Sequence, residues 1–337
     1  MTRQLPLPDP FDLALTLTMG QAFRWRSLED GWFSGVIGEN LVHIRQTDDG
    51  VEYRVGGADG ELDDVGFDWD VQICRYFRMD TDNIHGIYDD LCRDQKVATM
   101  IWRYLGLRLL RQEPWECLVS YICSRANSVE NISENVETIA KLSGKAVGIG
   151  DEKRYLFPSA AEVLESGGDA LSQLDMKGRR HPAPAMLSAA KRVVAGDLDL
   201  DELKQYGHRY ETVIGELRKI DGVGYKIANC VALFGLNRVE AFPCDRWVNR
   251  AMADWYVDFP MPTRPEYPSA KEHQAIADWS RQRFGPFAGY AGQYLFHGRR
   301  QEEAEAHSPF WERESKMAIV PHHDDPLWVT IARKHLS

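Results

Sequence analysis

Lys226 and Asp245 are the residues whose types and spacing could do chemistry. Lys226 closes the run Ile220-Asp221-Gly222-Val223-Gly224-Tyr225-Lys226, and Asp245 ends Val239-Glu240-Ala241-Phe242-Pro243-Cys244-Asp245. A Gly-x-Gly turn at a helix start aims backbone N–H groups at one point, and such a pair seats a phosphate. A lysine just beyond the turn can reach the sugar that phosphate carries. At an ordinary pKa of ~10.4, only about one lysine in a few thousand is neutral at pH 7. A nucleophilic lysine therefore needs shelter. The stretch YKIANCVALFGL around Lys226 is almost wholly apolar, and Lys226 is its only charge. Asp245 precedes the helical pattern Trp247, Val248, Ala251, Met252 and is a natural N-cap. The same carboxylate could take the amine's proton or stabilise positive charge on a sugar as its base departs. Spacing does not separate capping from chemistry, nor a nucleophile from a lysine that only touches phosphate.

The elements that must position these residues are legible in pattern. From about Trp32 to Val55, WFSGVIG, LVHIRQ and VEYRV alternate apolar and polar between Gly-Glu-Asn and Asp-Asp-Gly turns. That predicts an antiparallel meander, with ALTLTM before it joining a small sheet domain. Past an acidic loop, Gly56 to Asp68, apolar residues recur at three and four. Pro114 opens a nearly all-apolar helix, and Ser128 caps an amphipathic one. Further helices are expected at about 160–166, 186–195, 209–219, 225–234, 245–255, 269–284 and 287–298. Pro182 and Pro184 argue against a helix through Asp175–Met186. The fold class is α+β: an N-terminal antiparallel sheet domain over 1–68, then an all-α core. The core divides as a helical domain over 69–205 and a hairpin region over 206–298, with an extension over 299–337.

Bulk properties set limits. Hydrophobic residues at 44% and charged residues at 27% suit a globular protein. No stretch reaches the ~18 apolar residues that span a bilayer, and the first residues lack a signal-peptide core. A cytosolic or nucleoid location is expected in a prokaryote and a nuclear one in a eukaryote, as a monomer without membrane contact. The six cysteines sit among apolar neighbours without a Cys-x-x-Cys pair, so reduced thiols are expected. The formal net charge of −11 opposes nucleic-acid binding only on average. From Leu203 to Arg250, eight Lys/Arg meet five Asp/Glu, a local +3. His322, His323, Asp324 and Asp325 read as a solvated tail rather than a metal site.

The run IDGVGYKIANC followed by VEAFPCD resembles the helix–hairpin–helix DNA glycosylases. With MGQAFRW (19–25), LRLLRQEPWECLVSYICS (107–124) and GPFAGYAGQYLF (285–296) in the same order, the chain is similar to the eukaryotic-type 8-oxoguanine DNA glycosylases over about Leu5 to Gly298. The resemblance implies that Lys226 attacks C1′ of a flipped nucleotide, with Asp245 as the essential carboxylate, and that the strand is then nicked by β-elimination. It implies duplex DNA containing oxidised guanine as partner, and no catalytic metal or cofactor. A structural alkali or alkaline-earth ion on the hairpin carbonyls is compatible with it.

The resemblance also assigns a pocket. Gly20 would accept from N7–H, a proton 8-oxoguanine has and guanine lacks, so guanine would set two acceptors face to face. Gln293 would read the Watson–Crick edge, Phe296 and Cys230 would sandwich the base, and Pro243 would line the same space. Gly222, Gly224 and Ile227 would hold the phosphate through their amides. Asn127 and Arg179 would meet the opposite strand. Ala126 stands where the family has an asparagine, Asn131 where it has a cytosine-reading arginine, and Trp247 where it has a histidine, so weaker preference for cytosine is expected. Two other readings remain: a glycosylase for alkylated or other damaged purines, and a non-catalytic hairpin protein that binds DNA.

Overall fold

The structure is a computed structural model that describes residues 2–7, 10–58, 67–125, 127–174, 181–205, 207–265 and 267–306. The chain divides into two compact units, one of residues up to Thr81 with Arg108–Asn237, the other of Asp82–Leu107 with the residues from Arg238 on.

The first unit begins with an antiparallel sheet of β1 (Arg3–Pro6), β2 (Arg26–Ser27), β3 (Phe33–Ile37), β4 (Asn40–Thr47) and β5 (Gly50–Gly56), ordered β1-β5-β4-β3-β2. Tight turns set its register: Ile37 faces Asn40 across Gly38-Glu39, and Thr47 faces Gly50 across Asp48-Asp49. The inward face, with Val42, Ile44, Val51 and Tyr53, packs on α1 (Leu13–Thr18) and α2 (Trp69–Tyr76) through Leu13, Leu17, Trp69 and Ile73. Each such side chain contributes about 1.5–3 kcal/mol by leaving water. ALTLTM is a correction: it alternates like a strand but forms helix α1. Asp12 caps its start by accepting from Leu15 N at 2.8 Å, and Leu13 and Leu17, four apart, both face the core.

The helical part of this unit holds α5 (Pro114–Cys123), α6 (Val129–Ala140), α7 (Ala160–Leu171), α8 (Ala183–Val194), α9 (Leu200–Lys204), α10 (Tyr210–Arg218) and α11 (Tyr225–Phe234). It also holds a hairpin that the pattern did not announce, β6 (Ala146–Ile149) with β7 (Glu152–Tyr155). A Cβ on Gly56 would collide with the carbonyl of Gly148, so a glycine is needed where the hairpin approaches the sheet. A second correction concerns α8, which begins just after Pro182 and carries Pro184 in its first turn. There the missing N–H has no intrahelical partner to lose.

A buried ion cluster ties these pieces together. Arg24 donates to Glu137 of α6 at 2.8 Å, and Arg154 of β7 donates to the same carboxylate and, at 2.9 Å, to the carbonyl of Arg24. Burial alone would raise the Glu137 pKa, but the two guanidinium groups outweigh it and hold the carboxyl below its ordinary value.

The second unit is helical: α3 (Ile84–Leu91), α4 (Gln95–Arg103), α12 (Arg246–Trp255), α13 (Ala270–Phe284) and α14 (Ala288–Ala306). Asp94 caps α4 and accepts from Tyr256 Oη at 2.8 Å and Arg283 Nε at 2.7 Å. The presumed extension starts later than the pattern suggested, because α14 continues to Ala306. Arg299 pairs with Asp254 at 2.7 Å, and Glu303 pairs with Arg250 at 3.2 Å, so this last stretch braces α12. No described helix is long and apolar enough to cross a membrane. Of the acidic loop from Gly56 to Asp68, residues 59–66 lie outside the described residues, as does the histidine pair at 322–323, while Gly56 ends β5 and Asp68 caps α2.

Candidate active site

In the first unit the site grows from the turn between α10 and α11. Gly222 takes φ +87°, a value open to glycine at little cost. Gly224 is the N-cap of α11 and offers no side chain to cap with. The first ladder bond of the helix runs from Ala228 N to Gly224 O at 3.0 Å. The amides of Lys226 and Ile227 stay outside that ladder at the positive end of the helix. Both hairpin glycines are exposed, so the approach is open. Ile227 turns its side chain into the core at 5% exposure and leaves only its amide for a ligand.

Lys226 is half-buried rather than free in solvent. Its Nζ donates to Ser124 Oγ at 2.9 Å and lies 5.3 Å from the ring centroid of Tyr121. The Ser124 hydroxyl donates in turn to the carbonyl of Tyr121 at 2.7 Å, which fixes its rotor and aims a lone pair at the amine. Among the described residues of its own unit, no carboxylate pairs with Lys226. Cys230, one helical turn on, is buried on the same side of α11.

Gly20 belongs to this unit. It follows the C-cap of α1 at φ +90°, so it is also a helix-stopping glycine. The next residue, Gln21, is fully buried with all of its side-chain bonding used: Nε2 donates to the carbonyls of Thr16 and Arg108, and Oε1 accepts from Leu110 N at 2.9 Å. Its carbonyl accepts from Gln112 Nε2 at 2.7 Å and Tyr121 Oη at 3.0 Å. The backbone at Gly20 is thereby held on the tyrosine that backs Lys226. Asn127 is half-buried and accepts from Asn131 Nδ2 at 2.7 Å beside the Ser128 cap of α6. Arg179, with Lys177, Arg180 and Ala126, lies outside the described residues.

In the second unit Asp245 caps α12. Its Oδ1 accepts from Trp247 N at 2.8 Å and Val248 N at 2.9 Å, and both capping bonds use that one oxygen. Its Oδ2 has no hydrogen-bond partner among the described residues of its unit. The segment before it, with half-buried Pro243, lies along α14. A Cβ on Gly292 would sit 3.0 Å from the Phe242 ring, so that glycine admits the close approach. Gln293, next on α14, is 7% exposed, and its amide has no hydrogen-bond partner among the described residues of its unit. Its bonding capacity is thus left for a ligand. Phe296 is half-buried, with the Arg300 guanidinium 5.4 Å from its ring.

The structure thus groups Lys226, Cys230, Gly20, Gly222, Gly224, Ile227 and Asn127 in one unit, and Asp245, Pro243, Gln293 and Phe296 in the other. Sequence reasoning missed Ser124 and Tyr121. Ser124 is the C-cap of α5, and a polar residue ending an apolar helix was the available signal. Among the described residues no disulfide forms, and burial raises the Cys117 and Cys123 thiols well above their usual range.

Residues 4–118 match the family described as "8-oxoguanine DNA glycosylase, N-terminal domain". The N-glycosylase/DNA lyase of Arabidopsis thaliana is 25% identical over 84% of this chain and 76% of its own. A probable N-glycosylase/DNA lyase of Methanothermobacter thermautotrophicus is 30% identical over 58% of this chain and 64% of its own. Among solved structures, the 8-oxoguanine glycosylase/lyase of Clostridium acetobutylicum, bound to duplex DNA with cytosine opposite 8-oxoguanine, is 28% identical. It superposes with a TM-score of 0.73 over 87% of this chain and 93% of that one. The hairpin, the sheet domain and these relatives agree: the chain is similar to the 8-oxoguanine DNA glycosylase/AP lyases of the helix–hairpin–helix superfamily.

Proposed function

We propose that this chain flips 8-oxoguanine out of duplex DNA, excises it and nicks the strand 3′ to the site. The observation that carries the reading is the seat of Lys226, whose amine rests on a hydroxyl and an aromatic face beside a phosphate-binding turn. Nζ forms a bond to C1′ as the N-glycosidic bond breaks, and the base leaves with the electron pair and gains a proton. The amine loses its protons, the sugar ring opens, and a Schiff base remains. Removal of a C2′ proton then expels the 3′ phosphate by β-elimination. Asp245 stabilises the positive sugar through the carboxylate oxygen its cap does not use.

Flipping costs a few kcal/mol, which pocket contacts offset. In this reading the Gly20 carbonyl accepts from N7–H, and the Gln293 amide finds on the purine's Watson–Crick edge the partners it lacks. Phe296 and Cys230 cover the two faces of the base, and Pro243 closes the wall. The amides at Gly222, Gly224 and Ile227 hold the phosphate, while Asn127 and Arg179 meet the opposite strand. The chemistry uses no cofactor, and an alkali or alkaline-earth ion on the hairpin carbonyls would only brace the turn. The enzyme works as a monomer.

Borohydride trapping on duplexes with 8-oxoguanine, an alkylated purine or no lesion tests the reading. A covalent adduct with 8-oxoguanine alone is expected. An adduct only with the alkylated purine would transfer the chain to that substrate, and absence of both adduct and excision would leave a DNA-binding protein.

A further inference from the structure

We propose that Arg125 is a phosphate ligand of the hairpin seat, adding a positive charge that the turn itself lacks. The proposal rests on the reading of the hairpin as a DNA-backbone seat. A Cβ built on Gly222 would lie 3.0 Å from Arg125 Nη1 and 3.1 Å from the Cβ of Ala185. The guanidinium is therefore parked against the backbone of the turn, on the face of Gly222 that α8 also approaches. Arg125 is half-buried, and it has no hydrogen-bond or ion-pair partner among the described residues. A guanidinium carries five donors in a planar fork. Ordering so long a side chain without an acceptor loses rotamer entropy for no return.

Neighbouring cations are used differently. Arg218 donates to Tyr225 Oη at 2.6 Å and stacks on that ring at 3.7 Å, and Lys219 donates to Glu216 at 2.6 Å. The turn also carries Asp221, exposed and adjacent to Gly222, whose charge opposes a phosphate. A planar fork beside the hairpin amides offsets that charge and suits two phosphate oxygens at once. Arg125 follows Ser124 in sequence, so the phosphate it grips lies beside the amine that Ser124 holds. A phosphate contact positions the strand and carries no information about the opposite base.

The test is binding of a duplex with a tetrahydrofuran abasic analogue between 50 and 200 mM salt, for wild type, Arg125→Gln and Arg125→Lys. Loss of one phosphate contact should reduce the slope of log K against log salt by about 0.9 in Arg125→Gln. Arg125→Lys should keep the wild-type slope, and the loss in Arg125→Gln should be equal opposite C, A, G and T. An unchanged slope in Arg125→Gln, or a loss confined to one opposite base, would overturn the proposal. Trapping of wild type on 8-oxoguanine, run in parallel, separates the two levels: if wild type traps and the slope is unmoved, only the role of Arg125 fails. If wild type never traps, the glycosylase reading fails with it.

Discussion

Tyr121 donates its hydroxyl to the carbonyl of Gln21 at 3.0 Å while its ring lies 5.3 Å from the amine of Lys226. One side chain thus braces the backbone beside Gly20 and the shelter of the Lys226 amine. Gly20 and Lys226 are about two hundred residues apart in sequence, and the tyrosine couples their positions.

Tyr121→Phe should separate those roles. The ring stays in place, and the Gln21 carbonyl keeps its bond from Gln112. The stability loss should be about 0.5–1.5 kcal/mol, with excision slowed more than DNA binding is weakened. Tyr121→Ala removes a buried ring and should cost about 3–5 kcal/mol. Thermal unfolding beside single-turnover excision reads both, and an excision rate in Tyr121→Phe equal to wild type would show that the brace is idle.

Much of this was legible in sequence, for identifiable reasons. The meander declared itself because its alternation and its two-residue turns agree. The hairpin declared itself through glycines that punctuate two apolar helices. Helix α1 did not, since LALTLT alternates over six residues and only the Asp12 cap tips it to a helix. Strands β6 and β7 did not, being four residues each and rich in glycine and charge. Ser124 and Tyr121 matter only through contacts made across α5 and α11, and no spacing along one element encodes those. Arg125 stands out only through Gly222, nearly a hundred residues on, which the fold brings beside it.

Lys226→Gln should abolish borohydride adducts while leaving duplex affinity within a few-fold of wild type, because the seat's amides remain. Ser124→Ala removes the hydroxyl that aims the amine. Its expected effect is a fall in kcat of about tenfold, roughly one misaimed hydrogen bond of 1.4 kcal/mol, with KM little changed. Rapid-quench excision assays give both constants. Adducts that persist in Lys226→Gln would point to another nucleophile.

Asp245→Asn keeps an oxygen for the Trp247 and Val248 amides and removes only the charge. It should leave the midpoint of unfolding almost unmoved and depress excision by orders of magnitude. Asp245→Ala loses the cap as well, at about 0.5–2 kcal/mol. If Asp245→Asn retained wild-type excision, the carboxylate would be a cap and nothing more.

His297 sits on α14 at 7% exposure, with its ring edge-on to Tyr104 at 4.5 Å. Burial, and then the nearby charge of Arg300, push its pKa down from 6.5 to about 4. Between those values the unfolded chain binds a proton that the folded chain refuses, so stability falls as pH falls through that window and is level above it. The midpoint of thermal unfolding should therefore decline between pH 6.5 and 4. In His297→Asn that part of the slope should vanish. A profile identical in both proteins would place the acid sensitivity elsewhere, with the Arg24–Glu137–Arg154 cluster the first place to look below pH 4.5.

Opposite-base preference follows from what faces the orphaned base. Asn131 is 1% exposed and donates to Asn127, so it is spent on bracing α6, where the resembling family offers an arginine to cytosine. An amide turned inward cannot supply the bidentate fork that discriminates cytosine by about 1–3 kcal/mol. Excision of 8-oxoguanine opposite C should exceed that opposite A, G or T by less than about tenfold. Asn131→Arg should widen the gap only if the new side chain reaches the strand, and it must also break the Asn127 bond. Single-turnover rates on four duplexes differing only in the opposite base decide it, and a hundredfold preference for cytosine in the wild-type protein would mean that other side chains have taken over the reading.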